Sequence, residues 1–306
     1  MKPDSLASSS LVSSRPRSIG DDTCGPLALG CWRLTNPDTS HTLRLLETAL
    51  EEGMTLVDTA DVYGLDFGGS GFGGNEEILG LAFAEAPSLR EKFLVATKGG
   101  IAPPVPYDSS RKYLTQACEE SLRRLQVDVI DLYQIHRPDF YAHPCDLAET
   151  LEGLREAGKI RHIGISNFTP NQHDALSACL SEPLATTQPE FSAAVLTPMR
   201  DGTLDRCMAQ GVTPLAWSPL AGGRLATGEG VRPELIEVLD RLAERESTDR
   251  IAVALAFVLA HPSEPVAILG TTKPERLRAA TAALQVSLDR NDCYDIIEAS
   301  EGVPLP

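Results

Sequence analysis

From about residue 24 onward the chain alternates short apolar runs with amphipathic stretches, and this repeats eight times. The runs are "PLALG", "MTLVD", "FLVATK", "VIDLYQIH", "IRHIGIS", "LATTQ", "VTPLAW" and "PVAILG". Leucines at helical spacing follow several of them: Leu43, Leu46 and Leu50 before Gly53; Leu114, Leu122 and Leu125 around Cys118; Leu147, Leu151 and Leu154 before Gly158. "LATTQ" is the weakest run and is read as a strand mainly from its position before a helix around Leu204. Continuous apolar strands separated by helices pair in parallel and are buried on both faces. Eight such units are met most simply by a closed (β/α)8 TIM barrel. A doubly wound open sheet could carry the same alternation, but it would place a glycine turn directly after its first strand. No linker divides residues 24–306, which read as one barrel domain; the Ser-rich residues 1–23 read as a loose N-terminal tail.

Composition narrows the function. The net charge is -16, from 43 acids against 27 bases. With no concentrated Lys/Arg run, nucleic acid and anionic membrane are not expected partners. No apolar run approaches the ~18 residues of a membrane span. The first residues lack the apolar stretch of a secretory signal; Arg15, Arg17 and the serines would suit a transit peptide, but Asp4 would not. Seven cysteines (24, 31, 118, 145, 179, 207, 293) form no C-x-x-C pair and read as reduced thiols of a cytoplasmic protein. Without coiled-coil heptads, a monomer is expected.

The stretch "GLDFGGSGFGGNEE" holds Gly69, Gly71 and Gly74 in the spacing G-x-G-x-x-G. A dinucleotide loop of that kind must leave a strand at once and be followed about 20 residues later by an acid. Neither condition holds, so these glycines read as a loop at the pocket rim before a helix capped by Asn75, with Glu76 and Glu77 in its first turn.

Chemistry on such a barrel gathers at the C-terminal strand ends. Asp58 closes the second run, Lys98 the third, His136 the fourth, Ser166 and Asn167 the fifth, and Gln188 the sixth. Trp217 and Ser218 close the seventh, Gly270 and Thr271 the eighth. Singly, Asp58 could cap a turn, Lys98 could be solvated and His136 could be structural. Together with Tyr63 they form a proton-transfer set. An ammonium within ~4–6 Å lowers a tyrosine pKa from ~10 by ~1–3 units, which Lys98 could do while Asp58 holds it in place. His136 could orient a carbonyl oxygen toward Tyr63. The set contains no nucleophile elbow and no metal cage, so the attacking group must be brought in, such as a hydride from a nicotinamide.

"LVDTADVYG" with Lys98 and His136, "GKIRHIGISNF", "AWSPLAGGRL" and "ILGTTKPERL" resemble the aldo/keto reductases over residues 24–290. The resemblance implies NADPH-dependent carbonyl reduction, with Asp58, Tyr63, Lys98 and His136 as the catalytic tetrad and Tyr63 as general acid. It further implies that Ser166, Asn167 and Gln188 hold the nicotinamide carboxamide and that Trp217 stacks on the ring. Ser218, Leu220, Gly222 and Arg224 fall in the segment that folds over the pyrophosphate; a plain Gly-rich surface loop is the alternative. At the eighth strand end, Gly270, Thr271 and Arg276 match the 2′-phosphate region, with Lys273 a nearby cation; alternatively Lys273 and Arg276 belong to a solvated helix start. Ala279 and Ala280 replace the polar pair that often contacts adenine, which leaves NADH open beside NADPH. Trp32 is the expected substrate wall, or a side chain packed on the rim. Substrate choice is expected to rest on residues 64–74, 101–108 and the C-terminal tail. Open alternatives are an NAD(P)+-dependent sugar dehydrogenase on the same site and a redox-sensing regulatory subunit. A barrel metallohydrolase using Asp58 and His136 lacks the usual ligand spacing, and Lys98 would repel its cation.

Overall fold

The computed structural model describes residues 10–305. Each of the eight apolar runs forms a strand: β3 (Leu27–Gly30), β4 (Leu56–Asp58), β5 (Leu94–Gly99), β6 (Ile130–Ile135), β7 (Ile160–Ser166), β8 (Thr186–Gln188), β9 (Thr213–Ala216) and β10 (Val266–Leu269), preceded by β1 (Arg17–Ile19) and β2 (Asp22–Cys24). β3 to β10 pair in parallel in chain order, and β10 pairs with β3 to close the barrel.

Alternation along each strand sorts the side chains. Leu29, Val57, Val95, Tyr133, Ile163 and Ile165 pack outward into the layer shared with the helices. Ala28, Leu56, Ala96, Leu132, Leu215 and Val266 pack together inside the barrel. Two residues further along the same inward phase come Gly30, Asp58, Lys98, Gln134, Trp217 and Ile268. The interior is thus apolar at its floor and polar at the C-terminal ends of its strands. Gly164 makes room in this polar layer, since a Cβ there would meet Thr186 Oγ1 at 2.3 Å and Gln134 Cγ at 2.9 Å.

Residues 17–23, expected in the loose tail, instead form with Cys24 an antiparallel hairpin of β1 and β2 across the barrel floor. Ile19 and Cys24 pack into the interior cluster. The Arg17 guanidinium is buried and donates to the carbonyls of Pro265, Arg15 and Ser13. β4 and β8 are equally short but lie in apolar runs, whereas "RSI" and "DTC" lie in none, so nothing in the sequence marks them as strands. Residues 1–9 of that tail lie outside the described residues. The thiol expectation also needs correction: Cys145 and Cys179 form a disulfide with Cα atoms 5.0 Å apart. Cys145 lies in the first turn of helix Pro144–Glu156 and Cys179 just past the end of the next helix, Pro170–Ser177, a proximity that closure creates and sequence spacing hides. Among the described residues, no helix is long and apolar enough to cross a membrane.

Candidate active site

A cavity of about 770 Å³ opens at the C-terminal ends of the strands. Its volume lies within the ~300–1,000 Å³ of small-molecule sites. Asp58, Tyr63, His136, Ser166, Asn167 and Gln188 line its inner end, with Trp32 as a wall. Trp217, Ser218, Leu220 and Gly222 line it from the loop after β9, and Gly270, Thr271 and Arg276 from the end of β10 onward. Two expected residues are elsewhere: Arg224 and Lys273 are exposed and outside the lining. The Arg224 guanidinium turns back to the carbonyls of Ala221 and Gly230 and closes its own loop.

Lys98 is fully buried beneath the cavity. Its Nζ donates to Asp58 Oδ2 at 2.7 Å, to the Thr59 carbonyl at 2.8 Å and to the Tyr63 hydroxyl at 3.5 Å, so its three hydrogens have three acceptors. Burial pulls Lys98 down, but Asp58 and Tyr63 outweigh it and hold the amine above its ordinary value. Asp58 Oδ1 accepts from Gln188 Nε2 at 2.9 Å and from Gln134 Nε2 at 3.2 Å.

Tyr63 departs from the sequence expectation in one respect. Burial pushes its phenol above the ordinary value; Lys98 opposes this, but Asp58 raises it again. The lysine acts in the expected direction, yet its charge is largely matched by a carboxylate at 2.7 Å. His136 stands edge-on to Tyr63, ring centroids 5.7 Å apart. Burial, with the charges of Lys98 and Arg137, holds its imidazole well below the usual range, so the ring is neutral at neutral pH. His136 Nδ1 is enclosed with no hydrogen-bond partner among the described residues.

Asn167 ties three strand ends together. Its Nδ2 donates to the His136 carbonyl and to Ser166 Oγ, while its Oδ1 accepts from Trp217 Nε1 at 3.0 Å. This geometry requires φ of 60° at Asn167, a left-handed value that asparagine tolerates better than most residues. Ser166 Oγ in turn donates to the Gln188 carbonyl.

The glycine loop lies at the rim, as expected, with Leu65 and Asp66 in the lining. Gly64 has φ of 112°, and a Cβ there would stand 2.3 Å from the Gly71 carbonyl oxygen. The helix Gly74–Glu85 is capped by Gly73, not Asn75. Asn75 is buried, and its amide donates to the carbonyls of Cys31 and Trp32, fixing the Trp32 loop. Phe67 packs edge-on against Trp32 at 5.0 Å. Arg33 covers the Phe67 ring at 5.2 Å and reaches the Gly222 carbonyl at 3.4 Å. Of residues 101–108 only Ile101 lines the cavity, and no residue beyond Ala280 does; the C-terminal helix Arg290–Glu301 packs instead on helix Pro233–Arg245.

Sequence reasoning missed Gln134, Arg33 and Arg137. Gln134 was findable by stepping two residues back from His136 along the inward face. The two arginines adjoin residues already singled out, but neighbours in a loop follow no period that would aim them.

The family model of the aldo/keto reductase family matches residues 26–301. A 6-dehydroglucose reductase of Novosphingobium aromaticivorans is 44% identical over 92% of this chain and 93% of its own. Another protein of that name, from Agrobacterium fabrum, is 34% identical over 90% of this chain and 94% of its own. The structure of a glycerol dehydrogenase from Gluconobacter oxydans superposes with a TM-score of 0.81 at 31% identity, covering 96% of this chain and 98% of that one. The chain belongs to the aldo/keto reductase family of NAD(P)H-dependent oxidoreductases.

Proposed function

We propose that this protein reduces the carbonyl of a sugar with NADPH, Tyr63 serving as proton donor. The observation that carries the reading is the buried chain Asp58–Lys98–Tyr63 ending at the wall of a cavity that Arg276 also lines. The sugar class is supported by the two relatives named 6-dehydroglucose reductase.

The lining residues fit a dinucleotide. Gln188 Nε2 is engaged by Asp58, which leaves its Oε1 to accept from the nicotinamide carboxamide, alongside Ser166 and Asn167. Trp217 offers a ring face, and Ser218, Leu220 and Gly222 flank the position of the pyrophosphate. Thr271 and Arg276 would hold the 2′-phosphate, with room left by Gly270. Ala279 and Ala280 offer adenine only apolar contact. Arg224 braces the loop beside this segment, and Lys273 adds positive charge near Arg276. When bound, the cofactor supplies a hydride to the carbonyl carbon.

The chain's own residues manage the oxygen. A bare Nδ1 leaves the proton of neutral His136 on Nε2, which donates to the carbonyl oxygen. Burial keeps Tyr63 protonated at neutral pH, loading the acid. As negative charge develops on the oxygen, Tyr63 passes its proton there, and the Lys98 ammonium 3.5 Å away stabilises the tyrosinate left behind. Asp58 keeps Lys98 charged and aimed. Trp32, braced by Phe67, walls the substrate. The same groups serve the reverse reaction, polyol oxidation with NADP+, which the glycerol dehydrogenase neighbour favours as a second reading.

Fluorescence titration with NADPH and NADH, followed by loss of NADPH absorbance on adding sugar aldehydes, tests the reading. Tight NADPH binding with aldehyde-dependent oxidation is expected. Binding without oxidation would favour a regulatory subunit, and no binding would refute the assignment.

A further inference from the structure

Three arginines line the cavity, Arg33, Arg137 and Arg276, and none forms an ion pair among the described residues. Acids outnumber bases by 43 to 27 in this chain, yet Glu190, the carboxylate whose charge interacts with Arg137, stays outside ion-pair distance. Arg276 lies in the helix Pro274–Ala280 after β10, and Arg33 leans on Phe67. Arg137 makes no hydrogen bond to any described residue, although a guanidinium carries five N–H donors. It directly follows His136, at the inner end of the cavity beside the position proposed for the reacting carbonyl.

We infer that Arg137 is a specificity-determining residue that donates to the hydroxyl oxygens flanking the reacting carbonyl of a polyhydroxylated substrate. This rests on the reductase reading above. A hydroxylated chain needs donors, acceptors and a flat apolar face together, and this end of the cavity offers all three. Arg137 and Arg33 donate, and the Asp66 carboxylate at the rim accepts. The Trp32 ring, braced edge-on by Phe67, supplies the apolar face. A site built for a lone anion would have no use for Asp66 or for that platform. Arg137 also adds to the positive field on His136, so that imidazole stays neutral beside a substrate that brings no charge of its own.

The test compares kcat/KM for D-glyceraldehyde with that for propanal, which has the same chain length and no hydroxyls, and for succinic semialdehyde, which carries a carboxylate. The wild-type protein is compared with Arg137→Met and Arg137→Lys, and NADPH affinity is measured on each. Wild type is expected to prefer glyceraldehyde to propanal. Arg137→Met should lower that ratio by about tenfold or more, the worth of charge-assisted hydrogen bonds, with the loss mainly in KM. Arg137→Lys should restore part of the ratio, and NADPH binding should stay constant across the three. A ratio unchanged in Arg137→Met overturns this inference alone. So does a wild-type preference for succinic semialdehyde that Arg137→Met abolishes, because it assigns the arginine to an anion. No NADPH oxidation by wild type with any aldehyde overturns the reductase reading and this inference with it.

Discussion

Asp58→Asn removes one charge from the most enclosed ion pair among the described residues while keeping the side-chain volume. Lys98 is fully buried and its 2.7 Å partner is 4% exposed, so water screens neither charge well. The substitution sets an amide N–H₂ or an uncharged oxygen against the ammonium and leaves that charge uncompensated. Breaking a buried pair from one side costs about 3–5 kcal/mol, a large part of the ~5–15 kcal/mol that holds a typical fold. Urea unfolding followed by circular dichroism should therefore show a lower midpoint at an unchanged slope. The companion double variant Asp58→Asn/Lys98→Met removes both charges and should recover part of the loss, since a buried pair replaced as a whole is often nearly neutral. A cost below about 1 kcal/mol for Asp58→Asn, the range of a solvated pair, would refute the enclosed-pair argument. So would a double variant no more stable than the single one.

Two further outcomes follow from charges elsewhere. Asp61 is buried with both carboxylate oxygens unpartnered among the described residues; burial, then Glu76, raises its pKa well above the ordinary 3.8. A raised carboxyl contributes its full stability below the ordinary value and loses it as pH rises toward the folded value. Asp61→Asn should thus raise the urea midpoint at pH ~8 and leave it nearly unchanged at pH ~4; equal effects at both would remove Asp61 as the source. Arg276→Ala should weaken NADPH by about 1.5–3 kcal/mol and NADH far less, as read by fluorescence titration; equal losses would detach Arg276 from the 2′-phosphate.

The barrel was legible because a buried parallel strand announces itself as an apolar run, and eight such runs recur in order. The candidate site was legible for a related reason. Asp58, Lys98, Gln188 and Trp217 each end a run on its inward phase, where burying a polar side chain serves no packing purpose. What escaped lacks a period or depends on closure. The strands of the β1–β2 hairpin lie in no apolar run, and Arg17 gives no sign in sequence that its charge is buried against carbonyls. Cys145 and Cys179 meet only because neighbouring helices pack side by side. Asn75 looked like a cap from its place before two glutamates, yet Gly73 takes that role and frees its amide to hold the Trp32 loop. The direction of the Tyr63 shift depends on how much solvent the fold removes, a quantity that no local spacing encodes.

The central claim is that Tyr63 delivers the proton while the cavity around it binds the cofactor independently. Tyr63→Phe removes one hydroxyl and almost no volume, so it separates the two. Measured side by side, NADPH affinity by fluorescence should stay within about twofold of wild type, a difference under ~0.5 kcal/mol. Aldehyde-dependent NADPH oxidation should fall by at least the ~10²–10⁴-fold that general acid catalysis supplies. Turnover near the wild-type rate in Tyr63→Phe would contradict the account.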